Sequence, residues 1–311
     1  MSAAAETGPT GAGGVLDQVG DNIIRHVSNS SLDHPLIQLP SIFGIDFSIT
    51  KHVLMLWIVS VLVSCAIIIP IRRYLKQDKA IPSGWMNALE AIVKLIRDSM
   101  IKPNVGSKFT DMWAPIILTF FFFILFANGI GLIPIFDILG SINRFVFHVP
   151  ADDQHNFINT LLHGGSTATA NFNVTAGLAV ITFFSIMIAG TKAHGFFTHW
   201  KNMVPPGLAW PVYIILIPIE LIGLFVKPFA LTMRLAANMA GGHIAILAIL
   251  SFMAIFADMF QSTFAGIGVA FISVPMAVAI SGLEIIVVLV QAYVFTLLSS
   301  VFIGMAINVH H

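Results

Sequence analysis

The sequence predicts an all-α membrane protein with five membrane-spanning helices and one amphipathic helix lying at the interface. Three observations carry that prediction. Of 311 residues, 57% are hydrophobic and only 10% are charged, too few to clothe a soluble surface. Several apolar runs approach or exceed the roughly 20 residues a helix needs to cross a bilayer. Basic residues gather on one side of those runs, as they do in membrane proteins with a fixed orientation.

The spans are expected near residues 51–72, 111–136, 172–191, 206–257 and 268–308, with the interfacial helix near 83–102. Residues 1–48 read as an extracytoplasmic tail and 49–311 as a single transmembrane domain. The tail is rich in Gly, Ala and Thr, and it lacks the basic start and apolar core of a signal peptide. Asn29, Ser30 and Ser31 match the glycosylation pattern without fixing a compartment. After Pro205 and Pro206 the chain stays apolar almost to its end, too long for one crossing. Polar residues and glycines cluster between Asp258 and Gly268, so the stretch reads as a hairpin of two very long helices.

Charge sets the orientation. Arg72, Arg73, Lys76, Lys79, Lys94, Arg97, Lys102 and Lys108 follow the first span, whereas the loop after the second holds only Arg144. The basic segment is therefore expected in the cytoplasm, the N-terminus outside and the C-terminus inside. Within that segment Trp85, Leu89, Ile92, Leu95, Ile96 and Met100 form an apolar stripe, with Glu90, Lys94, Arg97 and Asp98 largely off it. Ser83 is the expected cap and Pro103 the expected stop. Such a helix either anchors the chain in the lipid interface or docks a partner subunit.

Other chemistry is poorly supported. Lys+Arg and Asp+Glu balance at 15 each, which argues against a nucleic-acid partner. The single cysteine, Cys65, excludes a disulfide framework and a thiolate metal cluster within the chain. His148, Asp152, Asp153, His155 and His163 crowd the loop after the second span but lack the spacing of a zinc motif, and read as solvated polar residues. No metal or cofactor is expected, and there is no phosphate loop.

The unusual residues lie inside the hairpin. Its first half holds Glu220, Lys227, Arg234, Asn238 and His243, and its second half Glu284 and Gln291. An arginine at mid-membrane costs about 3 kcal/mol on insertion scales, so it faces a cavity or a partner. Residues seven apart differ by only about 20° around a helix, which puts Glu220, Lys227 and Arg234 on one stripe, with Asn238 near it among small residues. His243 falls on about the opposite face, and Glu284 shares a stripe with Gln291. Arginine keeps its proton, so it cannot relay one; it can ionise a passing carboxylate and repel other cations. Glu220, His243 and Glu284 can exchange protons, and His243 can meet Glu284 if the hairpin packs antiparallel. Arg234 in a salt bridge to Glu220 or Glu284, Lys227 snorkelling to the interface, and Gln291 in a plain interhelical hydrogen bond are the purely structural alternatives.

The segments "PIELIG", "KPFALTMRLAANMAGGH" and "SGLEIIVVLVQAYVF", with "FANGIGLIPI" and "ATANFNVTAGLAV", resemble the a subunit of F-type ATP synthases from Asp46 onward. The resemblance implies a stator subunit with two half-channels, its final hairpin tilted against a ring of c subunits, in a complex whose peripheral stalk contributes b subunits. Protons would enter one half-channel, ride the ring on a c-subunit carboxylate and leave by the other. It implies that Arg234 is the essential arginine, that Gln291 faces it, and that Glu220 lines the cytoplasmic route. It also implies that His243 and Glu284 form the acid and histidine pair of the outer route, in the reverse of the order found in many bacterial relatives, with Asp46 near the entrance. Gly131 stands where the family has an acid, and Asp137 matches another only approximately. The tail lacks the Arg-rich, amphipathic look of an import signal, so a bacterial inner membrane is expected rather than the mitochondrial one. A stand-alone secondary transporter and a haem-bearing redox subunit are the competing classes. The first is weakened by the lack of an internal repeat, the second because His243 is the only histidine well inside a span.

Overall fold

The computed structural model describes residues 19–21, 23–24, 37–40, 48–76, 83–133, 142–143, 167–202 and 209–308. These are almost wholly helical: α1 is Lys51–Leu75, α2 Trp85–Ile96, α3 Lys102–Val105, α4 Ser107–Leu132, α5 Phe172–His194, α6 Phe196–Asn202, α7 Trp210–Met259 and α8 Thr263–Ile307. Five of them, α1, α4, α5, α7 and α8, are long and apolar enough to cross a membrane. The only β pairing among the described residues is an isolated bridge between Ile37 and Ile49. The all-α membrane class is therefore what the chain adopts, with α7 and α8 far longer than one crossing requires.

Element ends differ from expectation for local reasons. Helix α2 is capped by Gly84 at φ 61°, with no side-chain cap, so Ser83 does not serve. Pro103 does not stop the helix. A π-helical turn, Arg97–Ile101, follows α2, and α3 restarts at Lys102 with the proline in its first turn. A proline is tolerated there because no intrahelical partner awaits its missing N–H. Gly106, at φ 82°, ends α3, and α4 begins at once, earlier than the apolar run implied. The hairpin turn needs only Phe260, Gln261 and Ser262. Gln261 takes φ 46° and donates both its backbone N–H and its side-chain amide to the Asp258 carbonyl, at 3.0 and 2.8 Å.

The chain gathers into two compact units. One comprises Leu56–Ile130, Phe172–Ala237 and Val288–His311. Its larger core joins Ile96, Met100, Ile101 and Val105 to Trp113 and Ile117 of α4, Ile186 of α5, Leu224 of α7, and Ile303 and Ile307 of α8. The interfacial helix is thus built into this unit by Leu89, Ile96 and Met100, while Trp85 and Leu95 of the expected stripe stay exposed. The Trp85 indole N–H donates to the Ala66 carbonyl of α1, 3.1 Å away. The π turn meets α8 through polar contacts. Ser300 Oγ and Asn104 Nδ2 both donate to the Met100 carbonyl, and Asn308 Nδ2 donates to that of Asn104. Gly304 lies so near the Asn104 backbone that a Cβ would overlap it. A second cluster packs Phe120 and Ile124 of α4 with Leu231 and Leu235 of α7 and Ala292 and Phe295 of α8.

The other unit comprises Met1–Met55, Gly131–Asn171 and Asn238–Val287, and so contains the hairpin tip. There a Cβ on Gly266 of α8 would press on Ala257 and on the Met253 carbonyl of α7, which shows how closely the two helices approach.

His199 of α6 gives the first unit a pH dependence. Its ring covers Gly190 of α5 so closely that a Cβ there would overlap it. The residue is 6% exposed, and Nε2 has no hydrogen-bond partner among the described residues. Burial, then nearby His194, holds its pKa below the ordinary 6.5. The unfolded chain takes up a proton near pH 6.5 while the folded one resists, so this stabilisation is complete above that pH and is lost as the pH falls below it. The melting temperature of the detergent-solubilised chain should fall between about pH 7 and about pH 5.5. The fall should be smaller in His199→Gln; an equal fall, read by calorimetry, would assign the effect to other groups.

Candidate functional site

The titratable residues of the hairpin divide between the two units, and each set has its own geometry. In the first unit Glu220, Lys227 and Arg234 lie on α7 and Gln291 on α8. On α7 the residues Leu224, Pro228, Leu231, Thr232 and Leu235 are buried. Arg234 sits beside Leu235 but faces outward, with Ala230, Met233 and Ala237 exposed around it. The helix repeat of 3.6 residues produces this separation: positions 224, 231 and 235 share the core face, and 230, 234 and 237 share the outer one.

Arg234 makes no hydrogen bond and no ion pair with any described residue. Ion pairs seen among the described residues include Lys94 with Glu90 at 2.5 Å and Arg97 with Asp111 at 3.1 Å, both in or beside the interfacial helix. Within that unit, the alternative in which Arg234 is tied to Glu220 is therefore absent from this structure. Glu220 and Lys227 are half-buried on the same helix, and Gln291 is buried. Five donors on a planar cation facing outward from an apolar helix suit an anion, and above all a carboxylate.

In the second unit Asn238 is exposed, His243 half-buried and Glu284 buried. Glu284 is 6% exposed, and its carboxyl group lies directly over Gly242, where any Cβ would overlap it. Oε1 has no hydrogen-bond partner among the described residues. The antiparallel hairpin thus brings Glu284 of α8 to the residue next to His243 on α7. His243 Nε2 also lies 2.7 Å from Oγ1 of Thr167, a residue 1% exposed just before α5. Thr167 in turn rests on Gly131, where a side chain would overlap its hydroxyl and methyl groups.

Thr167, Gly131 and Gly242 therefore shape this site, a role that sequence reasoning assigned to none of them. Gly131 was singled out only as a departure from a pattern, and Thr167 stands one residue before the quoted "ATANFNVTAGLAV". Neither contact has a local signal, because Thr167 and His243 are 76 residues apart. Asp46, Asp137, the Asn29–Ser31 pattern and the loop residues His148, Asp152, Asp153, His155 and His163 lie outside the described residues. Among the described residues no three His, Cys, Asp or Glu side chains gather as metal ligands.

The chain resembles known proteins along most of its length. Residues 53–304 match the family model for the ATP synthase A chain. "ATP synthase subunit a 2" of Chlorobium luteolum is 41% identical over 304 residues, covering 95% of this chain and 78% of that protein. "ATP synthase subunit a 2" of Prosthecochloris aestuarii is 38% identical, covering 95% and 82%. "ATP synthase subunit a" of an Anaeromyxobacter species is 39% identical, covering 95% and 61%.

The neighbouring glycines of α7 give this geometry a direct check. Gly241 has open space around its missing Cβ, whereas Gly242 carries the Glu284 carboxyl. Gly242→Ala should move the carboxyl stretching band assigned to Glu284 by isotope-edited infrared spectroscopy, and Gly241→Ala should leave it in place. A band unmoved by Gly242→Ala would mean that the carboxyl is seated elsewhere.

Proposed function

Because this chain belongs to the ATP synthase A chain family, we propose that it conducts protons as the stator subunit of an F-type ATP synthase, through two half-channels that open on a rotating ring of c subunits. The observation that supports this most strongly is the outward-facing Arg234, which meets no anion among the described residues, on a helix of mostly apolar and small residues. A carboxylic acid on a neighbouring rotor stays neutral in lipid. Near the guanidinium its anion is favoured, so the proton leaves at that point. A guanidinium does not give up its proton in a protein, and so it blocks direct passage between the two routes.

The two sets of titratable residues supply the routes. Glu220 precedes Arg234 by fourteen residues, about 21 Å of helix, on the side of α7 that begins in the cytoplasm under the proposed orientation. His243 follows Arg234 by nine residues, about 13 Å towards the other side. Glu220 then serves the inner route. His243 and Glu284 serve the outer one, with Asn238 between them and the arginine and Asp46 near the outer entrance. Gln291 on α8 is assigned to face Arg234. The membrane potential supplies about 2.3 kcal/mol per charge per 100 mV to this movement. The complex, with b subunits on the interfacial side, sits in a bacterial inner membrane. The chain itself carries no catalytic centre for ATP, and it has no nucleic-acid partner.

Arg234→Ala removes the fixed cation. Vesicles carrying that variant in the assembled complex should lose proton-driven ATP synthesis below detection, although the nucleotide-binding sector still hydrolyses ATP. Synthesis retained at even a tenth of the normal rate would exclude the proposed role.

A further inference from the structure

The hydroxyl of Thr167 is not accounted for by the proton path as drawn so far. It is buried, it lies 2.7 Å from His243 Nε2, and it occupies a space open only because residue 131 is glycine. We propose that Thr167 is a positioning residue for proton transfer at His243, holding the imidazole through Nε2, and that Gly131 is required as its seat. This rests on the reading that His243 lies on the outer proton route.

The chemistry favours a hydroxyl at this point. Threonine offers one O–H donor and two acceptor lone pairs, so it can serve Nε2 whether that nitrogen carries a proton or not. A carboxylate would bind the protonated ring in preference, and an amide would fix one tautomer. A group on a conducting route must release the proton as readily as it takes it, so a contact indifferent to the protonation state suits a relay better than a strong ion pair. The hydroxyl rotates without moving its oxygen, and the ring keeps its orientation through the cycle. Glu284 is an ionisable group brought to this stretch of α7 in the same unit, and its carboxyl lies against Gly242.

Gly131 makes the arrangement specific. A Cβ at that position would fall on the Thr167 side chain, overlapping Oγ1 and Cγ2 together. A side chain at 131 and the Thr167 hydroxyl therefore compete for one volume. The segment entering α5 is short: Thr167 is followed by the turn Ala168–Ala170 and then by α5 from Phe172. Thr167, Ala168 and Thr169 are each no more than 1% exposed, so the hydroxyl has little room to retreat if residue 131 is enlarged.

The test uses the whole complex in inverted membrane vesicles, comparing Thr167→Ser, Thr167→Val, Gly131→Ala and Arg234→Ala. Proton-driven ATP synthesis is measured per assembled complex, counted by ATP hydrolysis of the nucleotide-binding sector. Thr167→Ser, which keeps the oxygen, should hold within about twofold of the normal rate. Thr167→Val, equal in size but without a donor or acceptor, should fall about tenfold or more. Gly131→Ala should fall similarly, although it leaves the threonine intact. The 15N resonance of His243 Nε2 should shift in the Val and Ala variants and not in the Ser variant. If Thr167→Val fails to assemble, Thr167→Ser, Gly131→Ala and the 15N signal decide. Full activity in Thr167→Val, or equal losses in Ser and Val, would overturn the inference, provided that Arg234→Ala is inactive. An active Arg234→Ala would instead overturn the reading on which the inference rests.

Discussion

A permanent cation that faces outward from an apolar helix is the constraint on which the rest depends. Water is scarce in the middle of a bilayer, and a guanidinium there costs several kcal/mol unless an anion or a wet cavity meets it. Arg234 finds no anion among the described residues of its own chain. Its helix is nonetheless held firmly, because the adjacent Leu231 and Leu235 are locked into a core with Phe120, Ile124 and Phe295. The arginine therefore cannot relieve itself by rotating the helix; doing so would expose those leucines' core face. In the proposed mechanism the partner comes to it, and the small residues Ala230 and Ala237 on the same face leave room for a helix to approach.

The other half of the hairpin is built on a different rule. Here the ionisable groups are packed, and glycines set where they lie. The Glu284 carboxyl rests on Gly242, and Thr167 rests on Gly131 while meeting His243. Missing side chains thus admit polar groups at close approach, much as Gly304 and Gly190 admit the Asn104 backbone and the His199 ring elsewhere in the chain. In the proposed mechanism this division has a simple logic: a barrier has to face the rotor, whereas a relay has to be screened from it.

Much of this was legible in the sequence. Apolar run length marked the five spans, charge placement set the expected orientation, and a single arginine in a greasy stretch marked the residue of most interest. What escaped was whatever depends on residues distant in the chain. A π turn at Arg97–Ile101 has no period that distinguishes it from the α-helix on either side, so Pro103 read as a stop. The Thr167–His243 contact spans 76 residues and two helices. Leu95 fits an amphipathic stripe by spacing, yet it stays exposed because the neighbouring core receives Leu89, Ile96 and Met100 instead. Periodicity tells which face is apolar. It does not tell which part of that face another element will cover.

The most direct measurement of the central idea is an experimental map of the assembled membrane sector at a resolution that shows side chains. The account predicts that the Arg234 guanidinium points at the ring, within ion-pair distance of a c-subunit carboxylate as that subunit passes. A guanidinium turned inward and paired with Glu220 or Glu284 of its own chain would contradict it.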